Sequence, residues 1–455
     1  MVPLLLAVAV LSCCGAVAET DFLKNQYSTA VLRPPDYDTF RPPPAGQSYR
    51  DPVFGTEILV VTDDHKIVGF NGERANFSQD DKYFFVGAKP EAGKPSEVWL
   101  YDGRTGAFIK SIPIEHYDAC RWGYDPKVLV YFKGNQIRGY NVETDADTLI
   151  KEFAEPVGGP RNRPCGGDGN DFDDKGEWTL LSFGNGFDRL FAYNIRTGQT
   201  GPEFSVVAHG KPTRTKKDRG RVDYATISPS GKYVVVIKGL HGPDLRQGTG
   251  LYDRNGTFLR CLSPHAGHAD FGYVNGTEEC VVLKSGKGPD WFRDPNGLGG
   301  RERYAVQFSD GKVVRLSLAG TIFGQISAVG GSNRRYIYWA MESDGRQPAD
   351  RDWGRYTGEI VEIPFDGSLK VRRLLHHRAR PDEAERKWDW GHHTWADQPE
   401  LWINHAGDRL FFRSNMFLEK GTTKQKYAHD LFMIKIPPRE TAPAGSGRPD
   451  PAMPR

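Results

Sequence analysis

No apolar run in this chain approaches the ~20 residues that a membrane-crossing helix requires. Leu4 to Leu11 is apolar but far too short to span. Charge of one sign is also missing. The net charge is +2 over 455 residues, so bulk electrostatics name no polyanionic partner, and nucleic acid is not expected. Cysteine is scarce, and no CxxC or CxxCH spacing occurs, which excludes thioredoxin-like redox chemistry and covalent haem. Nor is there a GxSxG, HExxH, GxxxxGKS or GxGxxG in a fitting context. The hydrolase-elbow, zincin and nucleotide-loop readings therefore have no support.

What the chain has instead is a phrase that repeats. Its first half is a polar hairpin: Phe77-Ser78-Gln79-Asp80-Asp81-Lys82, Asp171-Phe172-Asp173-Asp174-Lys175-Gly176, Ile227-Ser228-Pro229-Ser230-Gly231-Lys232 and Ile403-Asn404-His405-Ala406-Gly407-Asp408. Its second half reads Leu100-Tyr101-Asp102-Gly103-Arg104-Thr105-Gly106, then Tyr193-Asn194-Ile195-Arg196-Thr197-Gly198, then Leu251-Tyr252-Asp253-Arg254-Asn255-Gly256. Self-similarity at roughly 40–60 residues, with short strands and Gly/Asp turns, marks propeller blades. The expected fold is an all-β, seven-bladed β-propeller, with blades near 76–113, 118–154, 168–207, 222–262, 267–318, 323–375 and 398–437. Copies five and six have drifted, so six or eight blades stay open. With 25 Phe, 19 Tyr and 10 Trp, the chain can fill the layers between blades.

Four segments are expected. Residues 1–18 read as a signal peptide, with Ala16-Val17-Ala18 as a small-x-small cleavage site before Glu19. The chain is then exported, periplasmic or extracellular; lipidation at Cys13 is the competing reading, on a mediocre motif. Residues 19–52 form an irregular Pro-rich N-terminal arm, a linker or a surface strap, and 53–437 the propeller. Residues 438–455 form a Pro/Gly/Ala-rich tail expected to be disordered. Glu57 to Phe70 reads as a hairpin helping to close the ring. Export leaves Cys120, Cys165, Cys261 and Cys280, and Cys261 with Cys280 is one plausible disulfide among three connectivities. Sequons at Asn76, Asn255 and Asn275 fall in expected turns.

A propeller says where a site must lie. In a blade whose first strand is innermost, the start of that strand and the loop joining the second and third strands share one rim. On that rim fall His268, Gln325, His393 and Gln398, a donor set able to hold a divalent metal such as Mn, Zn or Ca, with Cys280 as a further thiolate. The same histidines read equally as hydrogen-bonded residues plugging the channel. Arg214 and Lys217 belong to a basic run ending at Arg221, suited to carboxylates or sulfates, or simply a solvated loop. Long loops add His241, Arg246, Trp291, Arg293 and Trp353, a cleft wall of cations and aromatics. Tyr224, beside Arg221, is either an acid–base residue or an aromatic packing residue.

Several stretches carry a family resemblance: Asp223 to Lys232, His268 to Tyr273, Gly324 to Ser327, and His393 through Asn415. They resemble exported bacterial propellers with WD40-like repeats, the group that includes the oligogalacturonate lyase and ulvan lyase families. The resemblance implies β-elimination on an acidic, uronate-containing polysaccharide or oligosaccharide. It implies a cation held by His268, Gln325 and His393, Arg221 neutralising a carboxylate, and Tyr224 or His241 in proton transfer. Two departures stand out: Asp397-Gln398-Pro399-Glu400 replaces an expected His-rich pair, and Cys165 with Asp168 sits where a base histidine would lie. The alternative is a non-catalytic propeller binding glycan or protein on the same rim.

Overall fold

The computed structural model describes residues 19–68, 75–90, 95–114, 117, 120–157, 172–183, 189–206, 222, 224–241, 246–263, 270–284, 303–316, 326–330, 334–341, 355–379, 399–417 and 429–439. Within these, helix α1 (Glu19–Gln26) is followed by β1 (Ser48–Arg50) and β2 (Glu57–Val60). The first four-stranded sheet is β3 (Ile67–Val68), β4 (Tyr83–Ala88), β5 (Glu97–Asp102) and β6 (Phe108–Ile112). The next is β7 (Cys120–Trp122), β8 (Val128–Lys133), β9 (Gln136–Asn141) and β10 (Asp147–Glu152). A two-stranded ladder, β11 (Trp178–Ser182) with β12 (Leu190–Asn194), comes after it.

Three further four-stranded sheets follow. They are β13 (Tyr224–Ile227), β14 (Tyr233–His241), β15 (Arg246–Asp253) and β16 (Phe258–Ser263); then β17 (Asp270–Val274), β18 (Glu278–Lys284), β19 (Arg303–Gln307) and β20 (Val313–Arg315). The third is β21 (Ile326–Gly330), β22 (Tyr336–Ala340), β23 (Glu359–Pro364) and β24 (Arg372–His376). The last sheet is β25 (Leu401–Ile403), β26 (Arg409–Ser414) and β27 (Asp430–Lys435), completed by β2 and β1. First strands of neighbouring sheets approach one another, β17 with β21 and β21 with β25, so they surround a common axis. The fold is an all-β propeller.

The blade count departs from expectation. Six sheets are full blades, whereas the third repeat gives only the β11–β12 ladder among the described residues, flanked by the isolated bridges Phe172↔Thr179, Leu190↔Phe204 and Tyr193↔Thr200. The outer strand is curtailed where Gly201-Pro202 removes a ladder donor. Glu57 to Phe70 is not a hairpin either. β2 pairs with β27 and β3 with β4, so one half closes the ring and the other begins the first sheet.

The repeated phrase has a physical basis. In each polar hairpin one side chain caps the backbone five residues on: Ser78 accepts from Tyr83 N (2.9 Å), Asp173 from Trp178 N (3.0 Å), Ser228 from Tyr233 N (3.2 Å) and Asn404 from Arg409 N (2.9 Å). The residue three beyond the cap needs a positive φ, met by Asp81, Gly176, Gly231 and Gly407. The second phrase works alike. Asp102 Oδ1 accepts from the backbone N of Arg104 and Thr105, and Asn194 Oδ1 from Arg196 and Thr197, before Gly106 and Gly198 at positive φ. These are Asx turns closing hairpins.

The core lies in layers between neighbouring sheets. Leu180, Leu190 and Ala192 pack against Ala225, Val234 and Val236, while Leu181 and Phe191 pack against Val130 and Phe132. Where the last sheet meets the first, Phe84 stacks on Phe411 (4.3 Å between centroids) and meets Trp402 edge-on; such pairs add about 0.5–1.5 kcal/mol beyond area burial. Cys261 and Cys280 are not bonded to each other: they lie on β16 and β18 of different sheets. Cys280 lies in an apolar layer with Val282, Ala305 and Ile337, and burial pushes its thiol up. It is a packing residue there, not a thiolate ligand. Asn76 is buried with its Nδ2 donating to Phe85 O, so this sequon is closed to modification, while Asn255 and Asn275 are exposed.

The arm is a strap with a built seat, and its first eight residues are helical rather than irregular. Arg373 Nη1 donates to Ser28 O and Ala30 O, and His376 Nε2 lies 3.0 Å from Leu32 O. Arg372 donates to Gln26 Oε1 and also to Pro437 O and Pro438 O, so one guanidinium holds both ends of the described chain. Beneath the arm, Arg373 pairs in a fork with Glu359, and His376 with Asp51, all four side chains fully buried. Burial raises Asp51, but the His376 charge and hydrogen bonds overcome it and leave the carboxyl below its usual range. At Glu359 burial prevails and the pKa is raised.

Candidate functional site

The two rims of the propeller are chemically different. The hairpin rim, where first strands turn into second strands, is tied shut between sheets. Asp81 accepts from His405 N, Ala406 N and Asn404 Nδ2, joining the first sheet to the last. Ser230 donates from N and Oγ to Glu279 of the next sheet, and burial raises that carboxyl. Asp174 takes Arg334 Nε at 2.7 Å, linking the third repeat to the β21–β24 sheet. Arg334 also donates to Phe271 O, lies 3.9 Å from Asp270, and its own carbonyl accepts from Tyr273 N. These bonds use the backbone edge of β17 that β18 leaves unpaired, so Arg334 and Asp174 meet on the axis side of that strand.

The opposite, loop rim collects buried charge instead. Here first strands begin and second strands run into third strands. Arg413 pairs with Glu400 at 3.0 Å, and Arg303 lies over Trp339 with its carbon 4.1 Å from the ring centroid. Asp430, whose side chain is fully buried, holds His65 Nδ1 at 2.6 Å. These buried charges, set among layers that are otherwise apolar, make the loop rim the candidate chemical face.

Of the residues expected from sequence, three lie in described strands. Tyr224 is the first residue of β13 and pairs in register with Ile237. His241 ends β14 and Arg246 begins β15, directly opposite one another. The β14–β15 hairpin therefore runs four residues past the register of Tyr224, roughly 13 Å beyond the sheet at ~3.3 Å per residue. All three sit at the loop-rim end of one sheet. Arg214, Lys217, Arg221, His268, Trp291, Arg293, Gln325, Trp353, His393 and Gln398 lie outside the described residues, as do Cys165 and Asp168. Among the described residues, no three His, Cys, Asp or Glu side chains group as a metal site.

Two features escaped the sequence reading, His65 with Asp430 on this face and the Arg334–Asp174 pair on the hairpin rim. His65 precedes β3, which opens the first sheet at Ile67. Counting back from the hairpin at Phe77 lands beyond it. Its one sequence signal is position: a histidine between two short apolar runs, Ile58–Val61 and Ile67–Val68.

No family model matches the sequence, and no curated protein matches it. Among solved structures, the fold is similar to an oligogalacturonate lyase in complex with manganese, at 12% identity and a TM-score of 0.54, covering 86% of this chain and 96% of that one. It is also similar to an oligogalacturonate lyase from Vibrio parahaemolyticus, at 11% identity and a TM-score of 0.55 with the same coverage. At such identities the likeness shows the shared propeller fold.

Proposed function

We propose that this chain is an exported propeller that cleaves uronate-containing, acidic oligosaccharides or polysaccharides by β-elimination on the loop rim. One observation carries the reading: the likeness to oligogalacturonate lyases spans 96% of each of those chains, so it covers the whole propeller. The cross-ties of the hairpin rim support it by favouring the loop rim for a ligand. The β11–β12 ladder has both faces packed against neighbouring sheets, so it belongs to the ring beside the six full blades.

β-Elimination removes the proton at C5 of the uronate, breaks the C4–O bond and leaves a C4=C5 double bond. The carboxylate must be neutralised to acidify that proton, a base must take it, and an acid must reach the leaving oxygen. Arg221 would neutralise the carboxylate, and Tyr224 or His241 would move protons at the edge of β13 and β14. Arg214, Lys217, Arg246, Trp291, Arg293 and Trp353 would hold the acidic chain. His268, His393, Gln325 and Gln398 mix imidazole nitrogens with amide oxygens, a set suited to a divalent ion such as manganese. Such an ion, when bound, would supply further charge neutralisation at the carboxylate.

The test is incubation of the purified chain with polygalacturonate, alginate and ulvan, reading the ultraviolet absorbance of the conjugated product, alongside metal content by mass spectrometry for wild type and His268→Ala. Unsaturated product, with stoichiometric metal lost in the variant, is the expected result. Absence of product from all three substrates sinks the lyase reading and leaves a glycan- or protein-binding propeller.

A further inference from the structure

His65 sits on the loop rim where the last sheet passes into the first, away from the β13–β16 edge that carries Tyr224 and His241. Its backbone is strained. With φ at +57° it occupies the left-handed region that β-carbon-bearing residues avoid, and no glycine or asparagine has been placed there to relieve it. What the conformation achieves is visible in the contacts. Asp430 Oδ1 accepts from His65 N at 3.0 Å and from Thr62 Oγ1 at 3.3 Å, while Oδ2 faces His65 Nδ1 at 2.6 Å. The carboxylate is therefore fully engaged, and it holds the imidazole by backbone and ring together.

With the carboxylate accepting Nδ1–H, the other ring nitrogen carries the lone pair. No described group hydrogen-bonds to Nε2, and the side chain is 35% exposed. The ring of Phe417 lies 6.0 Å from the imidazole, an apolar surface beside a polar acceptor. An acceptor next to an aromatic face is the pairing that a sugar ring uses, with one hydroxyl donated and C–H groups laid on the ring.

We propose that His65 is a saccharide-contacting residue on this rim, its Nε2 accepting a hydroxyl of the bound glycan, with Asp430 as the positioning residue. The assignment rests on the reading of the chain as a glycan-acting propeller, and adds a subsite that lies apart from the β13–β16 edge. Other ionisable groups near this spot include Asp64 and Lys66, paired with each other at 3.3 Å, and the buried Tyr101, whose hydroxyl burial pushes up; burial also pushes Asp430 up to about 6.

The experiment uses the full chain with tri-galacturonate as the probe, in wild type, His65→Asn, His65→Gly and Asp430→Asn. Asparagine and glycine both tolerate the positive φ, so a fold defect does not mask the result. Nitrogen NMR of the imidazole at neutral pH reads the tautomer directly. Expected are an Nδ1–H tautomer in wild type, its redistribution in D430N, a shift of the Nε2 resonance on adding the probe, and binding about three- to tenfold weaker in H65N and H65G. An Nε2–H tautomer in wild type overturns the inference whatever the probe does. Probe binding unchanged in both His65 variants overturns it while leaving the glycan reading intact. No binding to wild type removes the glycan reading, and this subsite with it.

Discussion

The two rims are built from the same blades yet obey different rules. On the hairpin rim each turn satisfies its own backbone, with a Ser, Asp or Asn cap and a residue at positive φ, and the leftover carboxylates reach across to the next sheet. On the loop rim the charged groups are buried and paired, as Arg413 with Glu400, His65 with Asp430, and Arg373 with Glu359 beside His376 and Asp51. The first rim spends polar groups on geometry, so its residue types are dictated and recur. The second holds charges that blade geometry does not require, and buried charge without a geometric need is where chemistry is to be sought.

Breaking the loop-rim couples should have the largest effect. Arg373→Ala leaves Glu359 buried without its fork and frees the arm carbonyls of Ser28 and Ala30, for an expected loss of about 3–5 kcal/mol in denaturant unfolding. Replacing both partners with apolar residues, as R373M with E359L, should recover most of it; no recovery would mean that the arm contacts, not the ion pair, dominate.

The hairpin rim should yield smaller, graded losses. Gly198→Ala puts a β-carbon at φ +74° with nothing within 4 Å, so only the backbone term applies, about 1 kcal/mol. Gly176→Ala has a similar φ, but its β-carbon would lie 2.5 Å from the backbone of Gly123, and the loss should be clearly larger. Equal losses would show that the second sheet gives way freely at that contact.

The smallest effect is one of pH. Burial raises Asp430 from its ordinary value to about 6, so the folded chain binds that proton more tightly than the unfolded chain. Its contribution favours folding at low pH and is lost as pH rises from about 4 to 6. Wild type should therefore lose stability on the order of 1–2 kcal/mol over that window relative to D430N, whose profile should lack the step. Matching profiles would show that the His65 interactions cancel the burial penalty.

The same contrast explains what was legible in the sequence. The hairpin rim could be read because Ser78, Asp173, Ser228 and Asn404 must stand five residues before the amide they cap, and that spacing survives divergence. The blade positions followed from it. The reduced third repeat was less visible, since Gly201-Pro202 removes pairing without disturbing either phrase. Cys261 and Cys280 are near in sequence but on strands of different sheets, a separation that spacing alone does not reveal. His65 was hidden for a related reason: β3 begins well before the polar hairpin at Phe77, so counting back from that hairpin points past it. At the proposed site, Tyr224, His241 and Arg246 were placed on a shared rim from strand order alone, and their register agrees with that placement.

The seam beside His65 also sets an order of events. Thr62 meets Asp430 across 368 residues of chain, and β2, paired with β1 on one edge, finds its second partner only in the last strand, β27. During synthesis the β1–β2 pair is made long before β27, leaving the other edge of β2 open until that strand emerges. Such an edge invites pairing with another copy, and a ring that closes through its most distant contacts closes slowly. The arm that later covers the β24 edge is made at the same early moment, with its seat at Arg373 still more than three hundred residues away. Production of this protein is thus limited by waiting, and slowing aggregation in that interval should raise yield more than strengthening any finished blade.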